Sequence, residues 1–182
     1  MRDQGAASFR KGNHYPFLYP RPFRIQPKLD MSLIIGLGTN LGDKLDNLKK
    51  AKFLLTGHFN YIAESRLYFS PAEDYLDQPE FINQVMEFEC PESSPDQIMA
   101  TLLEIELDMG RKRLIPKGPR IIDLDILFIG TNSFRTPLVE IPHPRLFQRK
   151  FVVQPLKDLP YYSVLKNVFS FPSFYSSLGV LN

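Results

Sequence analysis

The chain has 182 residues, 43% of them apolar, and a formal net charge of +2. That length suits one domain whose core needs no staples, and no apolar run approaches the roughly 18 residues of a bilayer-spanning helix, so an integral membrane protein is not expected. The charge is uneven: residues 1–30 set Arg2, Arg10, Lys11, Arg21, Arg24 and Lys28 against Asp3 and Asp30, a balance of +4, which leaves −2 on the remaining 152 residues and no global field for nucleic acid or an anionic membrane surface.

Residues 1–30 are interrupted by Pro16, Pro20, Pro22 and Pro27 and show no periodicity. Such sequence buries too little surface to offset its ordering entropy. It reads as a disordered extension, or as a start placed too early with Met31 the true start; an interaction arm is the functional alternative. A single domain is expected over 31–182. The one cysteine, Cys90, forbids an internal disulfide and points to a reducing compartment. With no secretory pattern at the N-terminus, a cytoplasmic location is expected.

From Met31 the elements follow closely. Leu33-Ile34-Ile35-Gly36-Leu37 reads as a short buried strand. A helix is predicted over Asp43–His58, with Leu45, Leu48, Ala51 and Leu55 on its inner face. Strands are predicted over Tyr61–Phe69 and Glu80–Cys90, joined by a polar loop from Ser70 to Pro79. Ser94-Pro95-Asp96-Gln97 is a capping box, and the helix it starts turns Ile98, Leu102, Ile105 and Met109 inward before stopping at Gly110. After a loop from Arg111 to Arg120 comes a strand over Ile121–Ile129, then a turn at Pro142-His143-Pro144 and a helix over Lys150–Leu159. The β-α-β-β-α-β order implies an α+β fold, an α/β/α sandwich related to the ferredoxin-like motif, with a central, mainly antiparallel sheet.

The most informative stretch is Gly118-Pro119-Arg120-Ile121-Ile122-Asp123-Leu124-Asp125. Strand alternation points Asp123 and Asp125 the same way, roughly 6.5–7 Å apart, and sends Ile122, Leu124, Ile126 and Phe128 to the opposite, core face. Paired carboxylates repel and resist burial. A divalent cation gives them a reason to be there, since magnesium takes one or two carboxylates plus substrate phosphates. Arg111, Lys112, Arg113, Lys117 and Arg120 lie just upstream, and guanidinium groups match phosphate oxygens. Metal-binding acids beside phosphate-binding arginines suit a nucleotide triphosphate. The competing reading is a solvated strand face beside a basic loop.

These residues, together with Gly36-Leu37-Gly38-Thr39-Asn40-Leu41-Gly42-Asp43, Asp77-Gln78-Pro79-Glu80-Phe81-Ile82-Asn83, Ile105-Glu106-Leu107-Asp108-Met109-Gly110-Arg111-Lys112-Arg113 and Ile141-Pro142-His143-Pro144, resemble the 6-hydroxymethyl-7,8-dihydropterin pyrophosphokinase family of folate biosynthesis. The resemblance implies an enzyme that moves diphosphate from ATP to a pterin alcohol. It implies two magnesium ions on Asp123 and Asp125, with Arg111 and Arg120 as catalytic arginines on the phosphates. Glu106, Arg113, His143 and Arg149 are implied at the ATP site, and Ser70, Pro71, Phe81, Asn83 and Phe151 at the pterin site. Phe rings can sandwich a flat heterocycle and an Asn amide can pair with its edge; ordinary core packing is the alternative for Phe81 and Phe151, and a strand-end role for Asn83. His143 is expected as a neutral donor to phosphate, against a plain turn residue. A further enzyme of the same pathway is a possible partner.

Two positions depart from the resemblance. Lys117 stands where many family members carry an aromatic residue that helps cover the pterin, and Glu73 replaces a position that is often apolar. Two rivals follow from the sequence. Gly36-x-Gly38-x-x-x-Gly42 after a strand, with Glu64 further on, suggests a dinucleotide-binding oxidoreductase. A non-catalytic pterin or nucleotide sensor of the same fold is the other.

Overall fold

A computed structural model of the chain describes residues 31–112, 116–174 and 176–181; the reading of 1–30 lies outside them. Strand β1 (Ser32–Thr39) leads to helix α1 (Lys44–His58), strands β2 (Tyr61–Glu64), β3 (Leu67–Ser70) and β4 (Phe81–Glu89), helix α2 (Pro95–Asp108) and strand β5 (Asp123–Ile129). A small hairpin of β6 (Phe134–Arg135) and β7 (Glu140–Ile141) follows, then a 3-10 turn (Leu146–Gln148), helices α3 (Lys150–Leu156) and α4 (Tyr162–Leu165), and strand β8 (Gly179–Leu181). The sheet runs β5-β1-β4-β3-β8, with β2 also on β4, and every pairing is antiparallel.

This is the expected α+β sandwich. Leu33, Ile35 and Leu37 face the layer of α1 and α2, packing with Leu48, Ala51, Leu55, Ile98, Leu102 and Ile105. On the other face Ile34 and Val85 meet Val152, Val153 and Leu156 of α3 and Leu165 of α4. Alternation along β1 therefore feeds two cores, one per face. Among the described residues no helix is long and apolar enough to cross a membrane.

Several local expectations change. Asp43 caps α1 rather than entering it, its carboxylate accepting from the Asp46 amide at 3.0 Å, and Leu45 is 40% exposed instead of facing the core. The strand predicted over 61–69 is broken: Ser65 Oγ accepts from Val85 N at 3.0 Å and donates to Arg66 O at 2.7 Å, so one strand bends into β2 and β3. The helix after Lys150 ends at Leu156. The capping box is formed as predicted, and Gly110 ends α2 at φ +82°, a conformation that favours glycine.

Phe128 is the instructive miss. Ile34 pairs with Phe128 but Ile35 with Ile126, so Leu127 is an extra residue, a β-bulge that restarts the alternation. Phe128 thereby leaves the α1–α2 core and joins Phe147, Phe169 and Phe171 on the opposite face. The glycine pattern of the dinucleotide rival also fails, because β1 has only antiparallel neighbours and no parallel βαβ unit exists to carry such a loop.

Candidate active site

On the α3 face of the sheet lies a cleft of about 490 Å³. Its floor is set by register: Gly38 pairs with Asp123 on one side and Asn83 on the other, and Gly36 with Asp125 and Val85. No side chain from Gly36 or Gly38 stands between the two acids of β5 and the amide of β4. A Cβ on Gly36 would meet Leu127 at 3.3 Å. These glycines keep the floor low and close to the backbone; they do not cradle a dinucleotide.

The cleft is lined by Asp123 and Asp125, by Arg111, Arg120, His143 and Arg149, and by Ser70, Pro71, Phe81, Asn83 and Phe151. Asp123 is gripped on both oxygens, by Arg111 Nη1 at 2.6 Å and Arg120 Nη2 at 2.8 Å. Glu106 is placed elsewhere: only 3% exposed, it sits behind β5, pairs with Arg111 and accepts from Leu124 N at 2.8 Å. It orients the arginine from below and is not on the cleft wall. Arg113 lies outside the described residues.

Asp125 differs from its neighbour. It has no hydrogen bond or ion pair among the described residues, and burial followed by the charge of Asp123 pushes its carboxyl above the usual carboxylate range, against the pull of His143, Arg149 and Arg120. A half-buried carboxylate beside a second acid, with no hydrogen bond or ion pair among the described residues, fits a cation that the protein alone does not supply. No third His, Cys, Asp or Glu completes a cage among the described residues. Two carboxylates lining an open cleft suit magnesium, which shares its shell with phosphates and water.

The basic groups of the cleft also keep unused hydrogen-bonding capacity. Burial lowers the His143 pKa, and Nδ1 accepts from the Arg145 amide at 3.2 Å, so the neutral ring has Nε2–H left to donate. Arg149 Nε and Arg120 Nε are buried without a hydrogen-bond acceptor among the described residues. On β4, Asn83 Nδ2 donates to Ser70 Oγ at 2.9 Å and Tyr68 O at 3.3 Å, which fixes the amide and leaves Oδ1 beside Gly38. The Phe81 and Phe151 rings carry the guanidiniums of Arg120 and Arg149 at 4.8 and 5.5 Å.

Asn40, which no local pattern singles out, is 2% exposed. Its Oδ1 accepts from Arg120 N at 2.8 Å, while Nδ2 donates to Gln78 Oε1 and Pro79 O, both at 3.0 Å. One amide thus ties the end of β1 to both cleft loops. Asn40 and Gln78 belong to motifs already noted, but their partners are 38 and 80 residues away, beyond any local pattern.

The family model for 7,8-dihydro-6-hydroxymethylpterin-pyrophosphokinase (HPPK) matches residues 34–160. A "Folate synthesis bifunctional protein, mitochondrial" of Pisum sativum is 40% identical over 131 residues, covering 71% of this chain and 25% of that protein. A "2-amino-4-hydroxy-6-hydroxymethyldihydropteridine pyrophosphokinase" of Bacillus subtilis is 34% identical over 127 residues, covering 69% of this chain and 75% of that protein. The Plasmodium falciparum HPPK-DHPS structure with pteroate shares the fold, with TM-score 0.56 at 14% identity over 75% of this chain and 42% of that one. The chain spans about a quarter of the length of the pea relative. On the extent of the family match and the Bacillus subtilis similarity, the chain belongs to the 7,8-dihydro-6-hydroxymethylpterin-pyrophosphokinase family.

Proposed function

We propose that the chain transfers diphosphate from ATP to the hydroxyl of 6-hydroxymethyl-7,8-dihydropterin, giving AMP and the pterin diphosphate. The observation that carries this reading is one cleft lined by Asp123 and Asp125, by Arg111, Arg120, His143 and Arg149, and by Phe81, Asn83 and Phe151. In the reaction the pterin oxygen bonds to the β-phosphorus of ATP and the bond from that phosphorus to the α,β-bridging oxygen breaks. AMP leaves with that oxygen, and the hydroxyl proton is released.

Asp123 and Asp125 are the residues to hold magnesium, two ions by family resemblance, which when bound offsets phosphate charge and lowers the pKa of the attacking hydroxyl. Arg111 and Arg120, here resting on Asp123, have in the phosphates a competing anionic acceptor of matching geometry. Arg149 Nε and His143 Nε2 donate to the polyphosphate. Asn83 Oδ1 accepts from the heterocycle's edge, and Phe81 and Phe151 take its faces once the guanidiniums over them move to phosphate.

The relative from pea is named a bifunctional protein and the solved structures are HPPK-DHPS chains; a second folate-pathway enzyme is accordingly the proposed partner. The test is turnover with ATP, magnesium and the pterin alcohol. AMP formation that requires all three is expected. ADP as the nucleotide product, or binding without release of AMP, would refute the assignment.

A further inference from the structure

Among the described residues, only Asp74 and Lys117 adopt positive φ without being glycine, at +63° and +58°. They are ion-paired with each other across the mouth of the cleft, Lys117 Nζ lying 3.2 Å from Asp74 Oδ1. Left-handed backbone is costly for a residue with a Cβ and persists where the surroundings enforce it. Lysine lacks the short side chain that eases this conformation for Asp or Asn, so its occurrence opposite Asp74 calls for a compensating contact.

Asp74 has a second cation. Arg145 donates to both of its oxygens, Nη1 to Oδ2 at 2.7 Å and Nη2 to Oδ1 at 3.2 Å. The neighbouring Glu73 carboxylate lies 3.8 Å from both Arg145 and Arg149. Gln78 Nε2 also donates to Lys117 O at 3.1 Å. Arg145, then Lys117, holds the Asp74 carboxyl down at about 2, so the pair stays charged at ordinary pH. The two positions that departed from the family resemblance, Glu73 and Lys117, thus belong to one chain of charges.

We propose that Asp74 is a positioning residue: by drawing Lys117 and Arg145 onto one carboxylate it keeps the three segments that wall the cleft, 70–79, 116–120 and 143–149, in register before any substrate arrives. An ionic tie takes the place of apolar cover at Lys117. A bidentate guanidinium contact restricts geometry more than a lone exposed pair does, yet exposed charge pairs are screened by salt. The tie between the walls of this cleft is therefore expected to weaken as ionic strength rises. Only the kinetic readout below rests on the ATP and pterin assignment.

The test is amide hydrogen exchange on the full, ligand-free chain at low and high salt, for the unaltered protein, Asp74→Asn, Lys117→Gln and the double variant. Asn keeps the left-handed backbone accessible while removing the charge. Either substitution is expected to speed exchange about threefold or more in both 71–78 and 116–120, with the double variant no faster than the faster single one. High salt should do the same to the unaltered protein and little to the variants. Exchange altered only in the segment carrying the substitution, or effects that multiply, would overturn the proposal. In turnover, Asp74→Asn should raise the KM for the pterin several-fold with kcat within about twofold; an unchanged KM overturns the positioning role. Absence of AMP formation by the unaltered protein would instead refute the ATP and pterin assignment, leaving the exchange result to decide the ionic tie.

Discussion

Asp125 carries a charge that the protein alone offsets only from a distance, whereas Asp123 two residues earlier is held by two guanidiniums. Removing the Asp125 charge without changing its volume should separate function from folding. Asp125→Asn is expected to lower turnover by at least about 100-fold. Its folded pKa is raised, so the sign is clear: the site favours folding while the group is protonated and opposes it as pH rises through the raised value. The metal-free variant should accordingly melt no lower than the unaltered protein at neutral pH, and the gap should close as pH falls below the carboxylate range. A large drop in Tm at neutral pH would show that Asp125 is structural. For Arg120→Ala, kcat is expected to fall roughly 10²–10³-fold with substrate Kd little changed, because its contact with the phosphates matters most as charge develops; equal losses in both would contradict that role.

At the scale of elements, the legible parts of the sequence were those with a local period or a local hydrogen bond. The capping box at Ser94 is such a case: Ser94 Oγ accepts from Gln97 N and Gln97 Oε1 accepts from Ser94 N. Ser94→Ala should cost about 1 kcal/mol and lower Tm by roughly 2–4 °C, leaving turnover intact; a loss of turnover would mean that α2 positions the cleft directly. The alternation that places Asp123 and Asp125 together was readable too. The bulge at Leu127 was not, because it depends on which residue of β1 pairs with which of β5. For the same reason Phe128 was assigned to the wrong face. Strand β8 and the break at Ser65 likewise arise from partners far along the chain.

For the whole molecule, the order of elements was enough to read an antiparallel α+β sandwich, since that order admits few sheet topologies. The candidate site was legible as residue types but not as a circuit. Nothing local says that Glu106 lies under β5, that Asn40 links two loops, or that Asp74 meets Lys117. Each is a contact made by tertiary folding. Residues 1–30, interrupted by Pro16, Pro20, Pro22 and Pro27, carry too little periodic apolar sequence to offset their ordering entropy, so a chain beginning at Met31 is expected to unfold cooperatively at the same Tm and to retain turnover. A lowered Tm would place residues 1–30 in the folded unit.

The decisive measurement is the structure of the chain with a nonhydrolysable ATP analogue and magnesium. The expected result is metal bound by both Asp123 and Asp125, the polyphosphate against it, and Arg111 and Arg120 moved from Asp123 onto phosphate oxygens. A nucleotide bound away from β5, with both guanidiniums still on Asp123 and no metal at Asp125, would contradict the assignment of this cleft.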